Sequence, residues 1–184
     1  IEIRPGNTYT KYPARSDCGS TCSYEQELQN FANWFSYYRS RLLAARAGVG
    51  KAFSQQREDL RIGYATINTF RATVDGHTAD TIVRGVRPFA GSDRSEFFNL
   101  LYTRNVPNGS TRLRFAADNV GLYFQRSDSK SPWRKDIAGS SASVEYSCYR
   151  NFHILMTDGY WTDPDFVSFS DVDGTAGPTT HQHA

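Results

Sequence analysis

Asn151–Phe152–His153–Ile154–Leu155–Met156–Thr157–Asp158–Gly159–Tyr160–Trp161–Thr162–Asp163 is a short apolar run that stops abruptly at Thr-Asp-Gly. Strands covered on both faces read as continuous apolar runs, and open α/β sheets place ligands beyond the carboxyl ends of their strands. The stretch therefore predicts a buried strand that delivers the Asp158 carboxylate to the rim of a sheet. Asp-Gly is also ordinary turn chemistry, so a strand followed by a plain turn is the competing reading.

Working outward, Asn108–Gly109–Ser110–Thr111–Arg112–Leu113–Arg114–Phe115–Ala116–Ala117 reads as a glycine turn feeding a helix. Leu113, Ala116, Ala117, Val120 and Phe124 recur at helical spacing and predict one apolar stripe. Ser110 or Thr111 stands at the start, where a hydroxyl can cap the helix or ligate a cation. Upstream, Ser23 and Gln26 form a capping box, and a long helix is expected to run to about Gln56. Its predicted buried stripe is Phe31, Phe35, Tyr38, Leu42, Ala45, Val49 and Phe53, with Trp34 and Tyr37 off it. Arg61–Asn68 reads as a strand, with Thr81–Pro88 as an antiparallel partner and a polar turn around Asp75–Gly76. Asp93 and Glu96 suggest a second capping box before a short helix. Ser127–Ser147 is polar and reads as a surface insertion. Strands alternating with helical patterns imply an α/β sandwich with a mostly parallel sheet.

The run Gln29–Asn30–Phe31–Ala32–Asn33–Trp34–Phe35–Ser36–Tyr37–Tyr38–Arg39–Ser40–Arg41 resembles the first long helix of the von Willebrand factor A-like domain of PilY-type proteins, which are tip adhesins and assembly factors of bacterial type IV pili. The Gly-Ser-Thr-x-Leu-Arg helix start and the Ile-Leu-Met-Thr-Asp-Gly-Tyr-Trp strand end resemble later landmarks of the same domain. The resemblance runs from about Ser23 to Asp163. It implies a Rossmann-like sandwich with a mostly parallel central sheet, here incomplete and carrying insertions. The expected divisions are an extended arm or insertion over 1–22, a partial domain over 23–170 and a polar tail over 171–184.

The resemblance also implies a metal-ion-dependent adhesion site. Thr111 matches its second loop and Asp158 its third. A hydroxyl and a carboxylate suit a hard cation, Mg2+ or Mn2+ before Ca2+, whose open position takes water or an acidic group of a ligand. The Asp-x-Ser-x-Ser of the first loop does not occur in these 184 residues; Asp93–Arg94–Ser95 begins it and Phe97 breaks it. That loop, with the first strand, is expected upstream of Ile1. The implied function is pilus biogenesis and surface attachment by an exported module, at the pilus tip, cell surface or outer membrane and periplasm. Minor pilins and a surface or host ligand are the implied partners. A metal-free scaffold docking minor pilins, and a secreted carbohydrate-active or hydrolytic domain, are the other two readings.

Composition sets bounds. The chain is 14% aromatic and 39% hydrophobic, which suits a folded domain, and its net charge of +2 gives no reason to expect nucleic acid. No apolar run is long enough to span a bilayer. Cys18, Cys22 and Cys148 offer a disulfide in an exported protein, either Cys18–Cys22 or one of these with Cys148. Zinc would need more ligands than His153 supplies. No nucleophile elbow or Walker loop is present. Cys148 and His153, five apart on a strand, would face opposite sides, and a carboxylate pair such as Asp158 and Asp163 could serve glycoside hydrolysis but has no other support. No enzyme is therefore expected. Asp171–Val172–Asp173–Gly174 lacks the rest of a calcium loop, and His181 and His183 sit in the polar tail.

Overall fold

A computed structural model describes residues 2–107, 109–135, 144–146, 148–157 and 159–163. Asp158 and the 171–184 tail lie outside the described residues. Two compact units divide the chain, Ile1–Arg57 and Glu58–Ala184. The described fold is mixed α/β, with four helices and antiparallel strand pairs.

In the first unit β1 (Thr8–Thr10) pairs antiparallel with β2 (Thr21–Ser23), setting Tyr9 opposite Cys22. Of the pairings open to the three cysteines, Cys18–Cys22 is the disulfide formed, and the Cys22 side chain is buried. Arg15 reaches Asp17 at 2.6 Å and Glu27 at 2.5 Å, tying the loop to the helix that follows. That helix, α1 (Tyr24–Tyr37), opens on the expected capping box. Ser23 Oγ accepts from Gln26 N at 3.3 Å, and Ser23 N donates to Gln26 Oε1 at 2.8 Å.

The single long helix expected to Gln56 is instead two. α1 ends at Tyr37, and Ser40 caps α2 (Arg41–Ser54) by accepting from Leu43 N at 3.2 Å. A serine hydroxyl competes for backbone amides, which favours a new helix start over continuation. The aromatic stripe is not core either. Phe31, Phe35 and Tyr38 remain about half exposed. Phe31 stacks on Phe35 with centroids 6.1 Å apart, and the Arg39 guanidinium lies 4.3 Å from the Phe35 centroid. Periodicity identifies residues that share a face; it does not say whether another element covers that face.

The second unit carries the antiparallel pair expected from the sequence. β3 (Arg61–Ala65) runs against β6 (Ile82–Pro88), with Arg61 opposite Pro88 and Ala65 opposite Ile82. Between them β4 (Ala72–Val74) and β5 (His77–Ala79) form a hairpin whose turn is Asp75–Gly76. Both turn residues have positive φ, 53° and 80°, the two-residue geometry that matches strand twist and selects Asp-Gly. α3 (Gly91–Thr103) starts two residues earlier than the expected capping box, with Ala90 at the N-cap and no side-chain cap; Asp93 lies inside its first turn and pairs with Arg84 of β6. α4 (Leu113–Phe124) turns Ala116, Val120 and Tyr123 inward.

Two apolar clusters follow. Ala79, Ile82, Val120 and Tyr123 form one, flanked by Ala65, Val74, Val86 and Phe124. The other is aromatic: Phe97 meets Phe89 and Tyr64 edge-on at 5.4 Å and 6.1 Å. The expected parallel sheet is absent among the described residues, where every strand pair is antiparallel. The apolar run 151–157, expected as a buried strand, has no ladder partner there. It lies exposed, with Phe152 at 80% and Ile154 at 72%. Apolar character alone supplies no neighbour to hydrogen-bond, and a strand needs one.

One polar network stitches the hairpin to this unit. The Asp75 carboxylate accepts two bonds from Arg87, at 2.9 Å and 2.5 Å, and one from Tyr123 Oη at 3.0 Å. The same Tyr123 oxygen accepts from Val86 N at 3.0 Å, and Arg126 donates to the Asp75 carbonyl. Gly85 leaves the space for it: a Cβ there would lie 1.8 Å from Asp75 Oδ2. Burial pushes the Tyr123 hydroxyl up to about 12, and the Asp75 hydrogen bond raises Arg87. Removing one partner of a buried pair strands the other, so Asp75→Ala is expected to lower unfolding free energy by about 3 kcal/mol. Tyr123→Phe should cost about 1 kcal/mol and Gly85→Ala at least about 2 kcal/mol, read from urea midpoints.

His77 is held below its ordinary value first by burial and then by the nearby Arg126 charge. The unfolded chain therefore binds the His77 proton more readily, and the stability of neutral His77 is present above about pH 6.5 and lost as pH falls below it. Tyr123 works in the opposite sense: its contribution holds below about pH 10 and fades as pH rises towards 12. Melting between pH 5 and 8 should show a slope that His77→Gln reduces.

Candidate functional site

The loop before α4 is where the two sequence landmarks meet. Gly109 passes close to Asn68, whose side-chain amide donates to the Ser110 carbonyl. The Thr111 carbonyl accepts from Leu113 N at 3.0 Å and from Thr162 N at 2.9 Å. Thr162 belongs to the segment that follows Thr-Asp-Gly, so the end of that segment is stitched to the Gly-Ser-Thr loop.

Neither Ser110 nor Thr111 caps α4. The N-cap position is Arg112, which gives no side-chain cap bond. Asp163 does the work from 49 residues away: its Oδ2 accepts from Arg114 N at 2.7 Å and its Oδ1 faces Phe115 N at 3.4 Å. These are the second and third helical amides, the pair a local capping side chain would reach. The carboxylate is fully buried, with Arg114 Nε 3.6 Å away, and its negative charge faces the positive end of the helix dipole.

Charged neighbours frame the loop. Arg112 lies over the Phe115 ring at 3.8 Å and 3.7 Å from Asp80, which Arg71 also approaches at 3.7 Å. Thr69 N binds the Asp80 carbonyl at 2.7 Å, and Arg104 donates to the Thr69 hydroxyl.

The described oxygens of this loop do not by themselves make a ligand set for a hard cation. Thr111 is half-buried, and its hydroxyl makes no hydrogen bond among the described residues. The Asp163 carboxylate is already used by α4, and Asp80 lies between two guanidinium groups. No cluster of three or more His, Cys, Asp or Glu able to hold a metal occurs among the described residues. Asp158 is outside them; beside it the Thr157 hydroxyl accepts from Gly159 N at 3.3 Å, and Gly159 has φ +131°. Cys148 is exposed and is not part of the Cys18–Cys22 bridge. His153, expected on a buried strand, is exposed. With Asn151 and Phe152 it borders a small open cavity against Ala117, Val120, Gly121 and Phe124 of α4.

Asp163 is the residue whose role sequence reasoning missed. It was visible only as a carboxylate five residues after Asp158, and no local spacing marks a cap 49 residues distant.

Fold and loop together define a mixed α/β module in which a remote carboxylate closes the start of a helix, beside a threonine whose hydroxyl has no hydrogen bond among the described residues. Over 177 residues the chain is 33% identical to the type IV pilus biogenesis factor PilY1 of Pseudomonas aeruginosa strain PAK, an alignment covering 91% of the chain and 15% of that protein. The PilY1 proteins of strains PAO1 and UCBPP-PA14 are 34% and 30% identical over 82% and 72% of the chain. The chain thus spans between 10% and 15% of the length of these relatives. No family model matches the chain, and no solved structure matches it. No helix among the described residues is long and apolar enough to cross a membrane.

Because the Thr111 side chain carries no hydrogen bond among the described residues, Thr111→Ala is expected to change stability by less than about 0.5 kcal/mol. Arg112→Ala removes a cation–π contact and should cost about 0.5–1 kcal/mol. Urea unfolding of both variants checks this contrast.

Proposed function

We propose that the chain is a module of an exported, type IV pilus-associated protein, acting in pilus biogenesis and surface attachment as a binding module rather than an enzyme. The observation that carries this is the similarity to PilY1 proteins along most of the chain. In the finer reading the module is a von Willebrand A-like domain, and Thr111 and Asp158 give oxygen ligands to Mg2+ or Mn2+. The unengaged Thr111 hydroxyl supports that reading. A bound cation would act as a Lewis-acidic anchor for an acidic group of a surface or host ligand. The chain's own part is to hold the Thr111 loop at a fixed position and to keep nearby cationic groups paired. Other pilus components, minor pilins among them, are the partners in either case.

A metal-free module that docks minor pilins is the second reading. It is favoured by the engagement of Asp163 with α4, which leaves Thr111 without a free described carboxylate beside it.

Ligand binding to the folded state alone must raise stability, by about 2.7 kcal/mol at a hundredfold excess over the dissociation constant. Thermal unfolding of the full-length protein with Mg2+, Mn2+, Ca2+ or chelator is therefore expected to show a metal-dependent rise. Thr111→Ala and Asp158→Ala should each abolish it. A well-folded protein indifferent to saturating metal would select the metal-free reading.

A further inference from the structure

We propose that α1 is a dimerisation helix: two copies of the chain pack antiparallel through the face that carries Leu28, Phe31, Phe35 and Tyr38.

α1 is a 14-residue helix in which no residue is buried. A helix of that length is marginal in water by itself, and most helices owe their stability to the packing of one face. The two sides of α1 differ sharply. Gln26, Gln29, Asn30 and Asn33 share one of them, where Gln29 Nε2 donates to Asn33 Oδ1 at 2.9 Å. Leu28, Phe31, Phe35 and Tyr38 share the other at spacings of three and four, and each is about half exposed. Trp34 borders that face, its ring centroid 5.8 Å from that of Phe31. A half-exposed aromatic side chain contributes about 100 Å², so the face presents roughly 400–500 Å², a patch of the size that marks an interaction site on a monomer.

The order of residues along this face makes it complementary to itself. Reversing the chain direction about Asn33 exchanges Phe31 with Phe35 and Leu28 with Tyr38. The apolar rows of two antiparallel copies therefore meet in register, as an isologous contact requires. The charges obey the same twofold order. Glu25 lies in the first turn of α1. Arg39 lies just past the last turn, its guanidinium 4.3 Å from the Phe35 centroid and without a carboxylate partner among the described residues. Antiparallel packing brings Glu25 beside the partner's Arg39 at both ends of the contact. Parallel packing would set like charges against each other and repel. Glu27, the second acid of the first turn, is taken by Arg15 and stays out of the contact. The face is smaller than the roughly 800 Å² per partner of a standard interface, so the dimer is a weak one that forms at micromolar concentration.

Sedimentation velocity of the full-length protein over about 1–100 μM should show a monomer–dimer equilibrium. Phe35→Glu places a charge in the middle of the contact and should leave only monomer across that range. The Phe35 side chain is half exposed, so this variant should keep its fold, which circular dichroism checks. Glu25→Arg and Arg39→Glu should each weaken the dimer at least about fivefold, because each pair occurs twice. The two changes together should restore affinity to within about twofold of the parent. Both residues are exposed, so this charge swap decides the matter even if Phe35→Glu fails to fold. A protein that stays monomeric at every concentration overturns the proposal, and the face is then covered by another part of its own polypeptide or by a different protein. A dimer that survives Phe35→Glu forms through another surface, which overturns it equally. Loss in both single charge variants without recovery in the double overturns the antiparallel arrangement.

Discussion

The bidentate pair between Asp75 and Arg87 is the constraint on which the second unit depends. Asp75 occupies a left-handed position at the tip of a three-residue-stranded hairpin that could not persist in water alone. Its carboxylate reaches back to β6 through Arg87 and to α4 through Tyr123, so one side chain joins hairpin, strand and helix. Val74 and Ala79 add the hairpin's apolar contacts, and His77 meets the Tyr123 ring edge-on at 6.1 Å. Tyr123 then does double duty, accepting from the Val86 amide with the same oxygen that donates to Asp75. The Asp75 carboxylate and the Tyr123 hydroxyl are each met by more than one partner, which is how a buried polar network adds order.

Asp163 repeats the logic at the other end of α4. Both acids are buried and both act across long stretches of chain. Tyr123, near the last turn of the helix, is held by Asp75, and the first turn is held by Asp163. The helix between them is therefore fixed at both ends by side chains that are not its own. The loop bearing Thr111 is held through Thr162 N, which donates to the Thr111 carbonyl, next to the helix start that Asp163 closes.

What could be read from the sequence follows the range of the interactions. The Ser23–Gln26 capping box and the antiparallel pairing of the Arg61 strand with the strand ending at Pro88 are set by neighbours in the chain or by simple alternation and appear as expected, although the first strand stops at Ala65 rather than Asn68 and the Asp75–Gly76 turn tops a separate hairpin, β4–β5, between them. The break at Ser40 was a local signal outweighed by an uninterrupted aromatic periodicity on either side. Asp93 had the right spacing for a capping box, but the helix begins before it, at Gly91, and its carboxylate pairs with Arg84 from within the first turn. The exposure of 151–157 and the capping of α4 by Asp163 depend on what lies across space, and no spacing rule encodes that. Of the candidate site, the sequence placed Thr111 just before α4, where it lies, but the carboxylate that engages that helix start, Asp163, is one the motif does not single out.

The missing side chain at Gly85 gives the network a hereditary consequence. Because a Cβ at that position would overlap the Asp75 carboxylate, the two residues, ten apart, one in a hairpin turn and the other on β6, form a single unit of substitution. A descendant of this sequence can acquire a larger residue at 85 only after surrendering the acid at 75, and with it the partner of Arg87. The reverse order passes through a clash. Drift at this spot is thus directional, and the clasp is easier to lose than to regain.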